Sequence, residues 1–136
     1  MKHKLNHIEN SITIYYDSRT GNVKRFIESV SKRMPINAIN INDQEYFENI
    51  PGHLITYTTG SAQIPVTTSY FLERHSNLII SVSASGNRNW GSNFARSADK
   101  ISELYKLPVI LKFELSGFPS DVENFIGNIT KSIYTI

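Results

Sequence analysis

A chain of 136 residues with no cysteine has room for one domain with a two- or three-layer core, and it excludes both a disulfide framework and thiolate chemistry. Its 14 Lys and Arg against 12 Asp and Glu leave a net charge of +2 without a basic stripe, which gives nucleic-acid binding no support. No apolar run approaches the ~18 residues of a membrane span, so the reading is no membrane and, with cysteine absent, a cytoplasmic setting.

Residues 1–10 are polar and lack an apolar signal core, so they read as a flexible lead-in to a single domain over residues 11–136. His3 and His7 have i, i+4 spacing, but with only Glu9 nearby a solvated tail is the better reading than a metal site. From Ser11 to Tyr16 a β-branched and aromatic run predicts a first strand, which breaks into Asp17-Ser18-Arg19-Thr20-Gly21-Asn22. A helix opening at Thr20 to Asn22 leaves its first N–H groups unpaired at the positive end of its dipole, and the hydroxyls of Ser18 and Thr20 add donors. Such a loop suits a phosphate. It also suits a plain strand-to-helix turn with a good cap, and the segment alone leaves both open.

Val23, Phe26, Ile27, Val30 and Met34 then form one face of a helix that Pro35 stops. Residues 36–41 predict a short strand toward a sheet edge, 42–52 a connection in which 44–50 supply a turn of helix, and 53–58 a strand rich in β formers. A second small-residue loop follows at Thr59-Gly60-Ser61-Ala62-Gln63. Pro65 fits the first turn of a helix carrying Val66, Tyr70 and Phe71 to Arg74. Leu78 to Ala84 is a continuous strand-length run, ending in a third loop, Ser85-Gly86-Asn87-Arg88-Asn89-Trp90-Gly91. A helix over 94–106, a strand from Pro108 to Phe113, and a helix with Ser120 as N-cap and Glu123 at the capping-box position complete the chain.

Five strands alternating with four helices predict an α/β fold, a flavodoxin-like doubly wound parallel sheet of order 2-1-3-4-5 with helices on both faces. Ligands of such sheets collect at the carboxyl ends of the strands, where the three small-residue loops should converge. A phosphate loop beside two loops rich in Gly, Asn and Thr is the layout that a flat ring with a phosphate tail requires, and FMN is the obvious candidate. Tyr57 or Trp90 could stack on the ring, the other reading being a core aromatic for Tyr57 and a core or helix-start aromatic for Trp90. The expected cofactor-binding residues are Ser18, Arg19, Thr20, Gly21, Asn22 and Val23 in the first loop, Tyr57, Thr58, Thr59 and Gly60 in the second, and Ser85, Gly86, Asn87, Trp90 and Gly91 in the third. No catalytic side chain and no metal site is expected.

Ser18-Arg19-Thr20-Gly21-Asn22 with Arg25-Phe26, Thr56-Tyr57-Thr58-Thr59-Gly60, Ala84-Ser85-Gly86-Asn87-Arg88-Asn89-Trp90-Gly91 and Lys112-Phe113-Glu114-Leu115-Ser116-Gly117 strongly resemble the NrdI family. Those proteins are small flavodoxin-like FMN carriers that serve the manganese-using class Ib ribonucleotide reductase. The resemblance spans roughly residues 12–126. It implies that reduced FMN reacts with dioxygen to give superoxide or peroxide, which oxidises the dimanganese site of the small, radical-bearing subunit so that a tyrosyl radical forms. It also implies a flavin-reducing partner, and a redox activator rather than a stand-alone metabolic enzyme. Asp17 and Ser61-Ala62 depart from the family pattern, and Asp17 is expected to point away from the phosphate or to bind Arg19.

Other readings were open to the residues. A general flavodoxin electron carrier usually presents an acidic surface, which this charge balance lacks. A flavin-free anion-binding interaction module on the same sheet is the alternative from another class. Ser97, Asp99 and His75 could be imagined as a hydrolytic triad, but no Gly-x-Ser-x-Gly elbow surrounds any serine. The first loop also lacks the Gly-x4-Gly-Lys-Ser/Thr pattern of nucleotide triphosphatases.

Overall fold

Isoleucine, tyrosine and threonine at Ile12–Tyr16 form β1, the second strand of a five-stranded sheet in a computed structural model that describes residues 11–60 and 62–134. The order is β2-β1-β3-β4-β5, with β2 at Ile36–Asn40, β3 at Gly52–Tyr57, β4 at Ile79–Gly86 and β5 at Val109–Glu114. All neighbouring strands are parallel, in a register that sets Ile14 beside Ala38 and His53, and Leu54 beside Val82. Helices α1 (Asn22–Ser31), α2 (Val66–His75) and α3 (Arg96–Tyr105) lie in the β1–β2, β3–β4 and β4–β5 crossovers, and α4 (Pro119–Tyr134) follows β5. This is the flavodoxin-like fold expected from the alternation, with β2 at the edge.

Alternation along the strands divides the core in two. Tyr15, Leu54, Val82 and Ala84 meet Phe71 and Leu72 of α2 and Ala98 and Ile101 of α3 on one face. Ile14, Ile55 and Phe113 meet the α1 stripe of Val23, Phe26, Ile27 and Val30 and the α4 stripe of Val122, Phe125 and Ile129 on the other. Phe26 stacks on Phe113 at 4.1 Å between ring centroids. Burial of each such side chain contributes on the order of 1.5–3 kcal/mol, so the two faces fix where the strand ends lie.

The structure moves several element ends. Helix α1 closes at Ser31 rather than at Met34, in a turn where the N–H groups of Arg33 and Met34 both reach the Val30 carbonyl ahead of Pro35; Met34 still packs against the same core. Pro65 sits one residue before α2, with its carbonyl accepting from Ser69 N–H. The buried side of that helix is Thr68, Phe71 and Leu72, while Val66 and Tyr70 are exposed. No helical turn forms over residues 44–50. Helix α4 begins at Pro119, and Asp121 rather than Glu123 reaches back to the Phe118 N–H at 2.7 Å, so Ser120 lies inside the helix instead of capping it. The third loop holds a short 3-10 segment, Arg88–Asn93, that no periodicity announced. The expected lead-in, residues 1–10, lies outside the described residues, and with it His3 and His7; Ser61 does too.

Candidate functional site

Strands β1, β3 and β4 end at one edge of the sheet, and their loops enclose a cavity of about 390 Å³. The order of strands reverses between β1 and β3, which leaves a crevice that no crossover helix covers. All of the residues singled out for the three loops line it except Gly21 and Gly91. Leu115 joins them from beyond β5. A larger hollow of about 620 Å³ lies between the loop after β2, residues 41–47, and α2, away from the loops that follow β3 and β4.

At the first loop, Asp17 turns away from the cavity. It is buried, and accepts from Asn42 Nδ2 at 2.8 Å and from the Thr67 and Thr68 hydroxyls at 2.5 and 2.6 Å. Its carboxylate is thus held by three neutral donors, one from the loop after β2 and two from α2, and Arg19 is not its partner. Gly21 adopts φ 94°, a left-handed backbone that side chains disfavour, and swings the chain into α1. Ser18 Oγ accepts the Lys24 N–H at 3.1 Å, so its own proton is left to donate outward. The N–H groups of Asn22 and Val23, in the first turn of α1, have no carbonyl four residues back within the helix. Beside the side chains of Thr20, Asn22 and Arg19 they make a concave set of donors, suited to an anion.

The second loop is fastened where it leaves β3. The hydroxyls of Thr58 and Ser97 lie 2.9 Å apart and between them reach the carbonyls of Ser85 at 3.2 Å and Tyr57 at 2.9 Å. Beyond that, Thr59 and Gln63 exchange two backbone hydrogen bonds, closing a tight loop in which Gly60 and Ala62 have φ of 50° and 84°. Tyr57 flanks the crevice with its phenol pushed above the usual range, first by burial and then by the Asp17 carboxylate, so it remains protonated.

In the third loop, Asn87 Oδ1 accepts the Asn89 N–H at 2.9 Å and starts the 3-10 segment that carries Trp90 over the cavity. Trp90 is 40 % exposed, so it belongs to the crevice wall and not to the core. Gly86 has no room for a side chain, since a Cβ would lie 2.5 Å from the Ala95 nitrogen where α3 crosses the strand end. Arg88 lays its guanidinium over the Phe94 ring at 4.4 Å, and its N–H faces Glu114 Oε2 at 3.2 Å. That carboxylate stands beside a loop that itself contains no acidic residue. Glu114 and Leu115 were not among the expected site residues, although they lie in the Lys112 to Gly117 segment that carries the family resemblance and just before a Ser116-Gly117 turn at the carboxyl end of a strand.

The imagined triad dissolves. Ser97 bonds to the second loop, Asp99 pairs with Lys112, and His75 packs against Phe47 and Phe71. No group of three or more metal-ligating side chains occurs among the described residues, and no helix there is long and apolar enough to cross a membrane.

A family model described as NrdI flavodoxin-like matches residues 14–127. A protein NrdI of Bacillus licheniformis is 47% identical over 122 residues, covering 90% of each chain. One from Macrococcus caseolyticus is 46% identical over 112 residues, 82% of this chain and 84% of its own. An SPbeta prophage-derived protein NrdI of Bacillus subtilis is 39% identical over 114 residues, 84% of this chain and 88% of its own. Among solved structures, a mutant flavodoxin of Fusobacterium nucleatum crystallised with flavin mononucleotide is similar, with a TM-score of 0.53 at 17% identity over 74% of this chain and 67% of that one. At that identity the likeness concerns the fold alone.

Proposed function

Since this chain belongs to the NrdI flavodoxin-like family, we propose that it binds FMN in the crevice and acts as the redox activator of a class Ib ribonucleotide reductase. The observation that carries the reading is the convergence of a helix N-terminus and two small-residue loops on one cavity of about 390 Å³. The residues present fit the group. The first N–H groups of α1 with the hydroxyls of Ser18 and Thr20 and the amide of Asn22 would hold the phosphate, and Arg19 balances its charge. Tyr57 and Trp90 would bracket the ring, while the backbone at Thr58–Gly60 and Ser85–Asn87 offers polar groups to its edge.

When bound and reduced by a partner, FMN supplies electrons to dioxygen, giving superoxide or peroxide for the dimanganese site of the small subunit. The chain's own task is to hold the group and set the charge around it. Asp17 is turned inward with its charge held by three neutral donors, and Arg88, whose backbone N–H meets the Glu114 carboxylate, brings a positive side chain to the third loop, so negative charge does not accumulate at the ring end. Low negative charge favours two-electron reduction of a ring that becomes anionic. Exposure of Trp90 and Leu115 at the rim leaves that end open to oxygen and to a docking protein.

The test is to load the protein with FMN, reduce it anaerobically with dithionite, and admit air in the presence of the manganese-loaded small subunit. Rapid reoxidation with superoxide or peroxide release, and a tyrosyl radical that forms only with both proteins, is the expected result. Reoxidation with no radical would leave a general electron carrier as the better reading, and failure to take up FMN would favour a flavin-free anion-binding module.

A further inference from the structure

Three side chains, Asn22, Arg25 and Ser116, meet behind the first loop, and of the three only Asn22 also lines the cavity. Arg25 Nη2 donates to Asn22 Oδ1 at 2.8 Å, and Arg25 Nε donates to Ser116 Oγ at 3.0 Å. Ser116 Oγ in turn lies 2.9 Å from the same Asn22 Oδ1. A guanidinium can only donate, so the atom of Asn22 that faces it is the carbonyl oxygen. The serine hydroxyl, already accepting from Nε, has its proton free to give to that oxygen. Every donor in the ring of contacts therefore meets an acceptor, and only one orientation of the amide allows it.

The consequence falls on the other end of Asn22. Its NH2 group is turned to the crevice, within 3.5 Å of Thr20 Oγ1 and beside the first N–H groups of α1. The reverse orientation would set two donors against each other at Arg25 and would offer a carbonyl oxygen to an incoming anion. Gly21 makes the arrangement possible, since a Cβ there would stand 2.6 Å from Arg25 Nη1. Ser116 arrives from 94 positions away, in the segment Lys112 to Gly117 that the flavin reading left without a role. Leu115, with φ 53° and its N–H on the Gly86 carbonyl, turns the chain so that residue 115 faces the cavity and residue 116 lies behind the loop.

We propose that Arg25 and Ser116 are positioning residues that lock the Asn22 amide with its NH2 toward the phosphate subsite, making the crevice selective for a phosphorylated over an unphosphorylated flavin. The proposal rests on the flavin reading above. Arg25 is exposed and has no carboxylate within 4 Å among the described residues, but its charge is screened by solvent; the forked geometry carries the effect.

Apoprotein of the wild type and of Ser116→Ala, Ser116→Thr and Arg25→Lys is titrated with FMN and with riboflavin by flavin fluorescence, and unfolded thermally without flavin to verify the fold. Ser116→Ala and Arg25→Lys should weaken FMN about 5- to 10-fold while riboflavin changes by less than about twofold, and Ser116→Thr should keep wild-type selectivity. Equal losses for both flavins, unchanged FMN affinity, a lysine that restores full selectivity, or a threonine as poor as alanine would overturn the proposal. A wild type that binds riboflavin and FMN equally would also overturn it. A wild type that binds neither removes the flavin reading itself.

Discussion

Asp17 through Asn22 and Thr58 through Gln63 lie side by side across the switch point of the sheet, and they are held in different ways. The first loop is tied to residues far off in sequence: Asp17 to Asn42, Thr67 and Thr68, and Asn22 to Ser116. Past Thr58 the second loop closes on itself, through the paired backbones of Thr59 and Gln63. The anion end of the crevice thus shares the rigidity of the whole fold, whereas the ring end has only that of a short turn, a place where local opening costs little.

The contrast breaks most visibly at Asp17. Replacing it with alanine strands the buried Thr68 hydroxyl and unties the exposed Asn42 and Thr67 from β1, and should cost about 2 kcal/mol of stability by urea denaturation. A loss below about 1 kcal/mol would mean that the first loop is not anchored through the fold.

His53, at the opposite end of the sheet, gives a control of nearly equal size. It is buried against Ser81, Nδ1 to Oγ at 2.7 Å, and burial lowers its pKa to about 4. The native chain stays neutral there while the unfolded chain takes up a proton near pH 6.5, so stability falls as pH drops from about 6.5 to 4, by at most roughly 3 kcal/mol. His53→Gln should flatten that dependence without altering ligand affinity at pH 7. If affinity falls with it, the two ends of the sheet are coupled and the comparison between loops is too local.

Smaller effects sharpen the picture at the crevice itself. Thr20→Ala should weaken FMN binding by about 1–2 kcal/mol and leave riboflavin untouched, whereas Trp90→Ala should weaken both by about 1 kcal/mol and reduce fluorescence quenching. The reverse pattern in a titration would exchange the phosphate and ring ends. Ala62→Gly trades relief of a left-handed backbone against a lost buried methyl group and added chain entropy, so stability should move by less than about 1 kcal/mol. Faster amide exchange confined to residues 59–63 is the expected signature; exchange spreading into β3 would deny that this loop is self-contained.

Local patterns carried the fold. The 3.6-residue stripes of α1 and α4, the apolar run of β4 and the hydroxyl-rich strand ends each declare themselves within a dozen residues, and right-handed crossovers leave few ways to join them. What local patterns could not carry is partnership across the sheet. Asp17 looked like a liability in a phosphate loop because Asn42 and Thr67 are remote in sequence, and Ser116 had no visible reason to matter to Asn22. The helix cap at Phe118 was obscured for a different reason: an aromatic residue makes a poor cap by type, and it is Pro119 and Asp121 that set the boundary. Val66 and Tyr70 fell on the wrong side of α2 because a single turn of apolar spacing does not determine a face.

The central claim is that the first loop holds a phosphate dianion on the opening turn of α1. A ³¹P NMR titration of FMN bound to the protein tests it most directly. The account requires a bound resonance, distinct from that of free FMN, that stays constant in position as pH is carried through the second phosphate ionisation near about 6, because helix N–H groups and neighbouring hydroxyls hold the doubly ionised form. A bound phosphate that titrates like free FMN would be a phosphate in water, and the first loop would be no more than a well-capped turn.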